Sequence, residues 1–334
     1  MRIAVDAMGG DYAPDAVIEG AVLAARENQL EILLVGPQDV IEERLKNYDL
    51  ENSKIEIIPA SQVVQMDEPA ADAIRHKRDS SIAISARLLK NKEADAMISA
   101  GNTAAVYATA RLFLGKLKGV SRPALAMVFP NVIDSTIVID VGANAGGCRA
   151  EDLLHFALMG EIYAREIIGK ENPRVGLLSV GEEKSKGSAL TLEAYSLMED
   201  YPINFIGNIE GSDVVSGKTD VLVCDGFVGN VILKLVEGMG EVIYKLVKEE
   251  ISQSFLAKIG FLLASPTLRK LGKKIDYEEY GGAPLLGING VCLIGHGKSS
   301  PNAIKSAIRA ASESVSHKVN ERIEQSLQNI KQGN

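Results

Sequence analysis

Tryptophan is absent from the 334 residues, and aromatic side chains make up only 5% of them. Without stacking platforms, and with a net charge of −8, the chain is poorly suited to nucleic acid. Histidine occurs four times and cysteine three times, at Cys148, Cys224 and Cys292. The wide cysteine spacing gives neither a disulfide framework nor a zinc site, and fits a reducing cytosol. No apolar run reaches the length of a membrane span, and MRIAVDAMGG turns polar too quickly for a secretory leader. Several motifs are missing too. DAMGGDYAP, after the first strand, lacks GxGxxG spacing, and GxSxG, HExxH and EF-hand spacings do not occur. GHGKSS fails the Walker spacing, because Cys292 stands where the first glycine belongs. These absences argue against a dinucleotide cofactor, a serine-histidine hydrolase, a P-loop triphosphatase and a metal site.

What the chain does have is apolar content, 46% of residues, and one device used many times. In Thr219 to Gly238, the run Val221 to Cys224 reads as a strand buried on both faces. Val228, Ile232, Leu235 and Val236 then recur at helical spacing. Gly226 and Gly229 lie in the turn between them, where a backbone can come close to a ligand. A strand running into such a turn and a helix places N–H groups at the sheet edge where open α/β folds bind ligands.

Similar strands are expected at Ile3 to Val5, Ile32 to Val35, Ile55 to Ile58 and Ala96 to Ile98. After the basic, glycine-containing linker GKLKGVSRP, a second series follows at Ala124 to Phe129, Thr136 to Asp140, Val175 to Leu178, Asn204 to Ile206 and Val221 to Cys224. Helices fill the gaps, so the fold class is α/β, a mostly parallel sheet covered on both faces. The segment from Met66 to Ser81 reads as a long polar stretch. SFLAKIGFLLASP is expected to stop at Pro266, and GGAPLLGING reads as a glycine-rich return. A strand at Val291 to Ile294 precedes one final amphipathic helix from Asn302 through Leu327. Two lobes with a cleft follow: 1–118 plus about 288–334, and 119–287 including the helical segment 240–272. The two also fit a single classified domain.

The chemistry concentrates at loop tips rich in small polar residues: SAGNT, VGAN, GEEK and DGFVGN. Asn102, Thr103, Asn144 and Asn230 offer neutral donors there, and Lys184 a charge. The run Arg75, Lys77, Arg78, Ser80, Ser81 is either a solvated charged surface or an anion site. Cys148 beside two glycines has the surroundings of a nucleophile, but small buried cysteines are commoner. No base-nucleophile pair stands out. A reaction that brings its own nucleophile, such as phosphate, suits this inventory.

In this order, VDAMGGD, SAGNT, DVGAN, GEEKSKG, GNIEGSDV, VLVCDGFVGNVILK, GGAPLLG and HGKSSPNAI resemble the bacterial phosphate acyltransferases of the PlsX family. The resemblance runs from Met1 to about Arg309. Ala104 departs from the family's SAGNTGA, and Lys298 interrupts a plain HGSS. The resemblance implies transfer of a long-chain acyl group from acyl carrier protein to inorganic phosphate, giving acyl phosphate for phospholipid synthesis. It implies a fold similar to isocitrate and isopropylmalate dehydrogenases and phosphotransacetylases, a homodimer, and a cytoplasmic protein peripherally associated with the membrane. Neither cofactor nor metal is implied.

On that reading Lys184, Asn144 and Asn102 are expected to serve phosphate and the oxyanion. Ser99, Gly101, Thr103, Gly142, Asp225, Gly226, Asn230, Arg75, Lys77 and His296 are expected to bind substrate. The acidic carrier would dock on Lys116, Lys118 and Arg122, or on Arg269, Lys270, Lys273 and Lys274. Phe255, Ile259, Leu262 and Leu263 form an apolar stripe, suited to a membrane surface or to a dimer interface. The alternatives are a short-chain phosphotransacylase using acyl-CoA and a non-catalytic carrier-protein or membrane-binding module.

Overall fold

The apolar runs pair edge to edge rather than forming separate sheets. A computed structural model describes residues 1–28, 30–51, 53–275 and 281–332. Its strands are β1 (Arg2–Asp6), β2 (Glu31–Gly36), β3 (Lys54–Pro59), β4 (Ala96–Ser99), β5 (Ala124–Pro130), β6 (Ser135–Ile139), β7 (Val175–Leu178), β8 (Phe205–Ile209), β9 (Val221–Val223), β10 (Ala283–Leu286) and β11 (Val291–Ile294). Among the described residues they form one 11-stranded sheet, ordered β3-β2-β1-β4-β11-β10-β5-β6-β9-β7-β8. The block β3-β2-β1-β4-β11 is parallel throughout, and so is β6-β9-β7-β8. Between them β11–β10, β10–β5 and β5–β6 are antiparallel. An odd number of reversals sets the two parallel blocks running in opposite directions.

The helices are α1 (Asp15–Asn28), α2 (Gln38–Leu45), α3 (Ala70–His76), α4 (Ser81–Lys90), α5 (Thr103–Phe113), α6 (Ala150–Tyr163), α7 (Ala189–Glu199), α8 (Gly226–Gln253), α9 (Phe255–Ile275), α10 (Pro301–Ser316) and α11 (Val319–Gln332). Strand residues alternate between the two faces of the sheet. Ala4, Met97, Val138 and Leu222 point into one apolar cluster that spans both blocks. On the opposite face the core divides. Ile3, Val5 and Ile98 pack under α1 and α10, whereas Ile137, Ile139 and Val223 pack under α6.

Several expectations need correction. The final amphipathic stripe is two helices, α10 and α11, with Lys318 between them in the left-handed region (φ 54°). Its two halves serve different cores: Ile304, Ile308 and Ala311 lie in the cluster of the first block. Val319, Ile323 and Leu327 lie in that of the second. A periodic sequence continues across the break, so periodicity cannot show it. Helix α9 runs through Pro266 to Ile275. The ring frees the Leu262 carbonyl, and Leu262 sits on an exposed turn where water can satisfy it. The glycine-rich return contains β10, in which Pro284 pairs with Leu293, and the polar segment after Met66 contains α3. Strand β8 extends to Ile209, into what reads as a loop.

One close approach fixes how α8 sits on the sheet. A Cβ on Gly229 would stand 1.8 Å from the Asp140 carbonyl oxygen, and one on Gly226 would stand 2.6 Å from Asp140 Oδ2. Backbone cannot yield there as a flexible side chain would. Gly229→Ala is therefore expected to lower stability by roughly 1–3 kcal/mol or more, read as a shift in urea midpoint. An unchanged midpoint would show that α8 can move away from β6 at no cost.

Candidate active site

Ends of strands from both parallel blocks converge on one cleft of about 730 Å³. Its lining mixes apolar side chains, Met66, Tyr107, Leu125, Met127, Val141 and Leu233, with polar ones, Thr103, Asn230, Lys234, Glu237, His296 and Lys298. A cleft of this size with a few convergent polar groups fits a small ligand or a chain-bearing one.

The second block enters the cleft through the loop after β6, which winds around Asp140. Its Oδ1 accepts the N–H groups of Leu125 (3.0 Å), Gly142 (3.2 Å) and Ala143 (2.9 Å). Its Oδ2 accepts the Asn144 N–H (2.7 Å) and the Asn144 side-chain amide (2.9 Å). Burial pushes the Asp140 carboxyl above the usual carboxylate range, while these bonds pull it down. Asn144 also donates to the Pro123 carbonyl (2.7 Å), so both its amide hydrogens are engaged and its side chain is buried. Gly142 faces the cleft at φ 138°, a conformation that only glycine adopts without strain. Asp225 caps α8 by accepting from Phe227 (2.9 Å) and Val228 (3.1 Å) N–H, and Gly226 packs beneath it against Asp140. From the second turn of α8, Asn230 lines the cleft, and among the described residues its amide has no hydrogen-bond partner.

The first block repeats the scheme with Asp6. Ser99 donates its hydroxyl to Asp6 Oδ2 (2.6 Å) and accepts the Gly101 N–H (3.1 Å), all three groups being buried. Burial pushes the Asp6 carboxyl above the usual carboxylate range too. Asn102 caps α5 through the Ala105 N–H (3.0 Å), and its amide donates to the carbonyls of Met66 (2.8 Å) and Glu68 (3.0 Å). Next to it, Thr103 lines the cleft at the start of α5. Asn102, Asn144, Ser99 and Asp225 thus hold the loops in shape, leaving Thr103, Gly142, Asn230 and His296 facing the cavity.

The remaining expected residues lie apart from this group. Lys77 pairs with Glu68 (2.5 Å) and donates to the Val63 carbonyl (2.7 Å), and its hydrogen bond holds Glu68 below the usual carboxylate range. Arg75 is exposed, and neither lines the cleft. Within one chain Lys184 is also off the cleft, paired with Glu199 and 5.3 Å from the Tyr195 ring centre. The side chains of Arg269, Lys270, Lys273 and Lys274 lie outside the described residues. Cys148 is half-buried, and desolvation with Asp140 and Asp152 nearby pushes its thiol up to about 11. At neutral pH that thiol is protonated, which removes it as a nucleophile.

Beyond Asn230, the cleft face of α8 carries Lys234, Glu237 and Glu241, which the sequence does not mark as site residues; all four recur at helical spacing and line the cavity. Across it, Glu237 approaches His296 Nε2 at 3.8 Å and Glu241 approaches Lys298 at 3.8 Å. The spacing was visible; a charged stripe on a helix otherwise reads as a solvated face.

A family model described as fatty acid synthesis protein matches residues 1–322. A phosphate acyltransferase of Heliobacterium modesticaldum is 50% identical over 309 residues, covering 92% of each chain. One of Pelotomaculum thermopropionicum is 48% identical over 331 residues, covering 99% of this chain and 96% of its own. Among solved structures, a phosphotransacetylase from Streptococcus pyogenes superposes with a TM-score of 0.63 at 18% identity, covering 95% of this chain and 94% of that one. The last likeness concerns the fold alone. The match along nearly the whole chain, with half of the residues shared with such relatives, places this chain in the fatty acid synthesis protein family.

Proposed function

We propose that this chain is a phosphate acyltransferase, moving a long-chain acyl group from acyl carrier protein to inorganic phosphate to form acyl phosphate for phospholipid synthesis. The observation that carries the reading is the presence, in one cleft, of apolar side chains together with neutral donors and lysines. Near neutral pH inorganic phosphate is already an anion, divided between its singly and doubly charged forms, since second ionisations of phosphate groups fall around 6 to 7. It therefore needs a place more than a base. Thr103 at the start of α5, Asn230 and Lys298 supply that place, using a helix N-terminus and a cation. Met66, Tyr107, Met127 and Leu233 take the acyl chain. In this proposal the two lobes, 1–118 with 288–334 and 119–287, both contribute side chains to the cleft.

The protein acts as a homodimer at the cytoplasmic membrane surface in the same proposal. Helices α8 and α9 form a hairpin whose outer part is apolar and exposed. Phe255, Leu256, Leu262 and Leu263 are each more than 70% exposed. Among the described residues no helix is long and apolar enough to cross a membrane, so a lipid contact here would be at the surface. The hairpin flanks also expose Leu235, Val242, Ile243 and Leu246, a face for a second copy. Lys184 would then act through the partner's cleft rather than its own. For the carrier, the exposed Lys116 and Lys118 remain the docking candidates. Arg122 is half-occupied by Asp152 (3.3 Å).

Four measurements test the proposal. With acyl carrier protein and CoA thioesters offered side by side, acyl phosphate should form from the carrier thioester. In that assay Lys298→Ala should raise the KM for phosphate about tenfold with little change in kcat, the weight of one charge-assisted contact; an unchanged KM places phosphate elsewhere. Lys184→Ala should lower turnover about a hundredfold in a dimer, as loss of one fixed donor does, and normal turnover would remove it from the reaction. Leu262→Glu with Leu263→Glu should abolish sedimentation with anionic vesicles while sparing activity in solution. If that variant dissociates or still sediments, the tip is not the lipid contact.

A further inference from the structure

The loop after β1 also reaches the cleft, and it carries a carboxylate there. Gly10 is pressed into place at φ 110°: a Cβ on it would stand 3.0 Å from the Gly297 carbonyl oxygen and 3.4 Å from the Ala100 Cβ. The Asp11 N–H then donates to that same Gly297 carbonyl (2.7 Å). The backbone of Asp11 is thus fixed against the loops that follow β4 and β11. Its carboxylate lies alongside Gly297, since a Cβ on that glycine would be 3.5 Å from Oδ2 and 3.6 Å from Oδ1. Asp11, Thr103, Gly297 and Lys298 all line the cavity.

The other carboxylates of the cavity have cations beside them: Glu237 has Lys234 (2.8 Å), and Glu241 has Lys298 (3.8 Å). Asp6, Asp140 and Asp225 spend their oxygens on the loops that hold them. Asp11 does neither. Among the described residues its side chain has no hydrogen bond and no ion pair, and it is exposed to the cleft. An ionised carboxylate only accepts hydrogen bonds. Beside a bound anion it is repulsive, unless that anion brings a hydrogen of its own. Phosphate does so: both forms present near neutral pH keep at least one P–OH group. Sulfate, of the same tetrahedral shape, has none.

We propose that Asp11 is the residue by which the cleft selects phosphate against sulfate, its carboxylate accepting the P–OH hydrogen while Thr103 and Lys298 hold other oxygens of the anion. This rests on the phosphate acyltransferase reading above. The selection works through both signs of interaction. With phosphate, the contact is a charge-assisted hydrogen bond. With sulfate, an oxygen turned toward Asp11 meets a like charge with no hydrogen between them. A site built to bond a hydroxyl rejects the analogue that lacks it.

The test uses Asp11→Asn, Asp11→Ala and Asp11→Glu, which keep the backbone N–H that bonds Gly297; thermal melting checks each fold. Sulfate is titrated against acyl phosphate formation from an acyl carrier-protein thioester, giving the ratio of its inhibition constant to the KM for phosphate. In Asp11→Asn, whose amide can donate to sulfate, that ratio should fall about ten- to a hundredfold, the weight of one hydrogen bond to a charged group. Asp11→Ala should lower it too, and Asp11→Glu should stay nearest to wild type. An unchanged ratio in both Asn and Ala overturns the proposal, as does a fall in Glu as large as that in Ala. Calorimetric titration of phosphate and of sulfate into each protein, with no acyl donor present, reads the same preference independently of turnover. If the wild type makes no acyl phosphate yet prefers phosphate, and Asp11→Asn loses that preference, the parent reaction falls and the selection stands. If the wild type shows no preference, the selection falls whatever the turnover.

Discussion

The cleft depends on how the protein buries the carboxylate of Asp140. Taking a carboxylate out of water costs several kcal/mol, and the loop after β6 offsets that by turning three backbone N–H groups and one side-chain amide onto it, with a fourth backbone N–H from β5. Bonds to a charged acceptor contribute roughly 1.5–3 kcal/mol each, so the cage is favourable only when complete. Its completeness sets the path of Gly142 along the cleft and ties β5 to the same corner through Leu125. It also gives α8 a fixed seat, because Gly226 and Gly229 lie against Asp140 itself. Asp6, with Ser99 and Gly101, does similar work across the cleft on fewer bonds.

This scheme explains which parts of the molecule were legible in the sequence. Buried parallel strands are continuous apolar runs, so β1, β2, β4, β6 and β9 could be read directly, and their alternation with helices gave the α/β class. Strand β10 could not, because it begins beside glycines and contains a proline, the marks of a loop. The division of the last helix was equally hidden, since Ile308 and Val319 obey one period while entering different cores. At the site, the glycine-rich tips pointed to the cleft. Composition could not say which of their polar residues face inward. Asn102 and Asn144 look like ligand donors, but each spends its hydrogens on carbonyls or a carboxylate. Asn230, chemically the same, stays available because it leaves a helix rather than a loop.

Donor groups at the cavity are mostly uncharged, and apart from Asp11 its carboxylates and cations come as neighbours: Lys234 with Glu237, and Glu241 near Lys298. Such pairing keeps the local field small while leaving oriented N–H and O–H dipoles in place. A site of that kind suits a reaction in which the incoming group is already an anion. Strong net positive charge would hold phosphate tightly in the ground state and gain nothing in rate. Fixed dipoles cost little reorganisation when charge moves from phosphate to carbonyl oxygen and then to sulfur.

Helix α8 joins two places with different demands. Its first turns rest on Asp140 and line the cavity, and its last turns stand in solvent with the exposed apolar tip. From Asn230 to Gln253 the axis spans about 35 Å at 1.5 Å per residue, without an internal proline to absorb bending. The helix is thus one continuous lever seated where Gly229 meets the Asp140 carbonyl. A small tilt at the far end, whatever leans on it, becomes a displacement of Asn230 and Glu237 scaled down by the ratio of the two arms. One helix therefore ties the lining of the cavity to the posture of the hairpin.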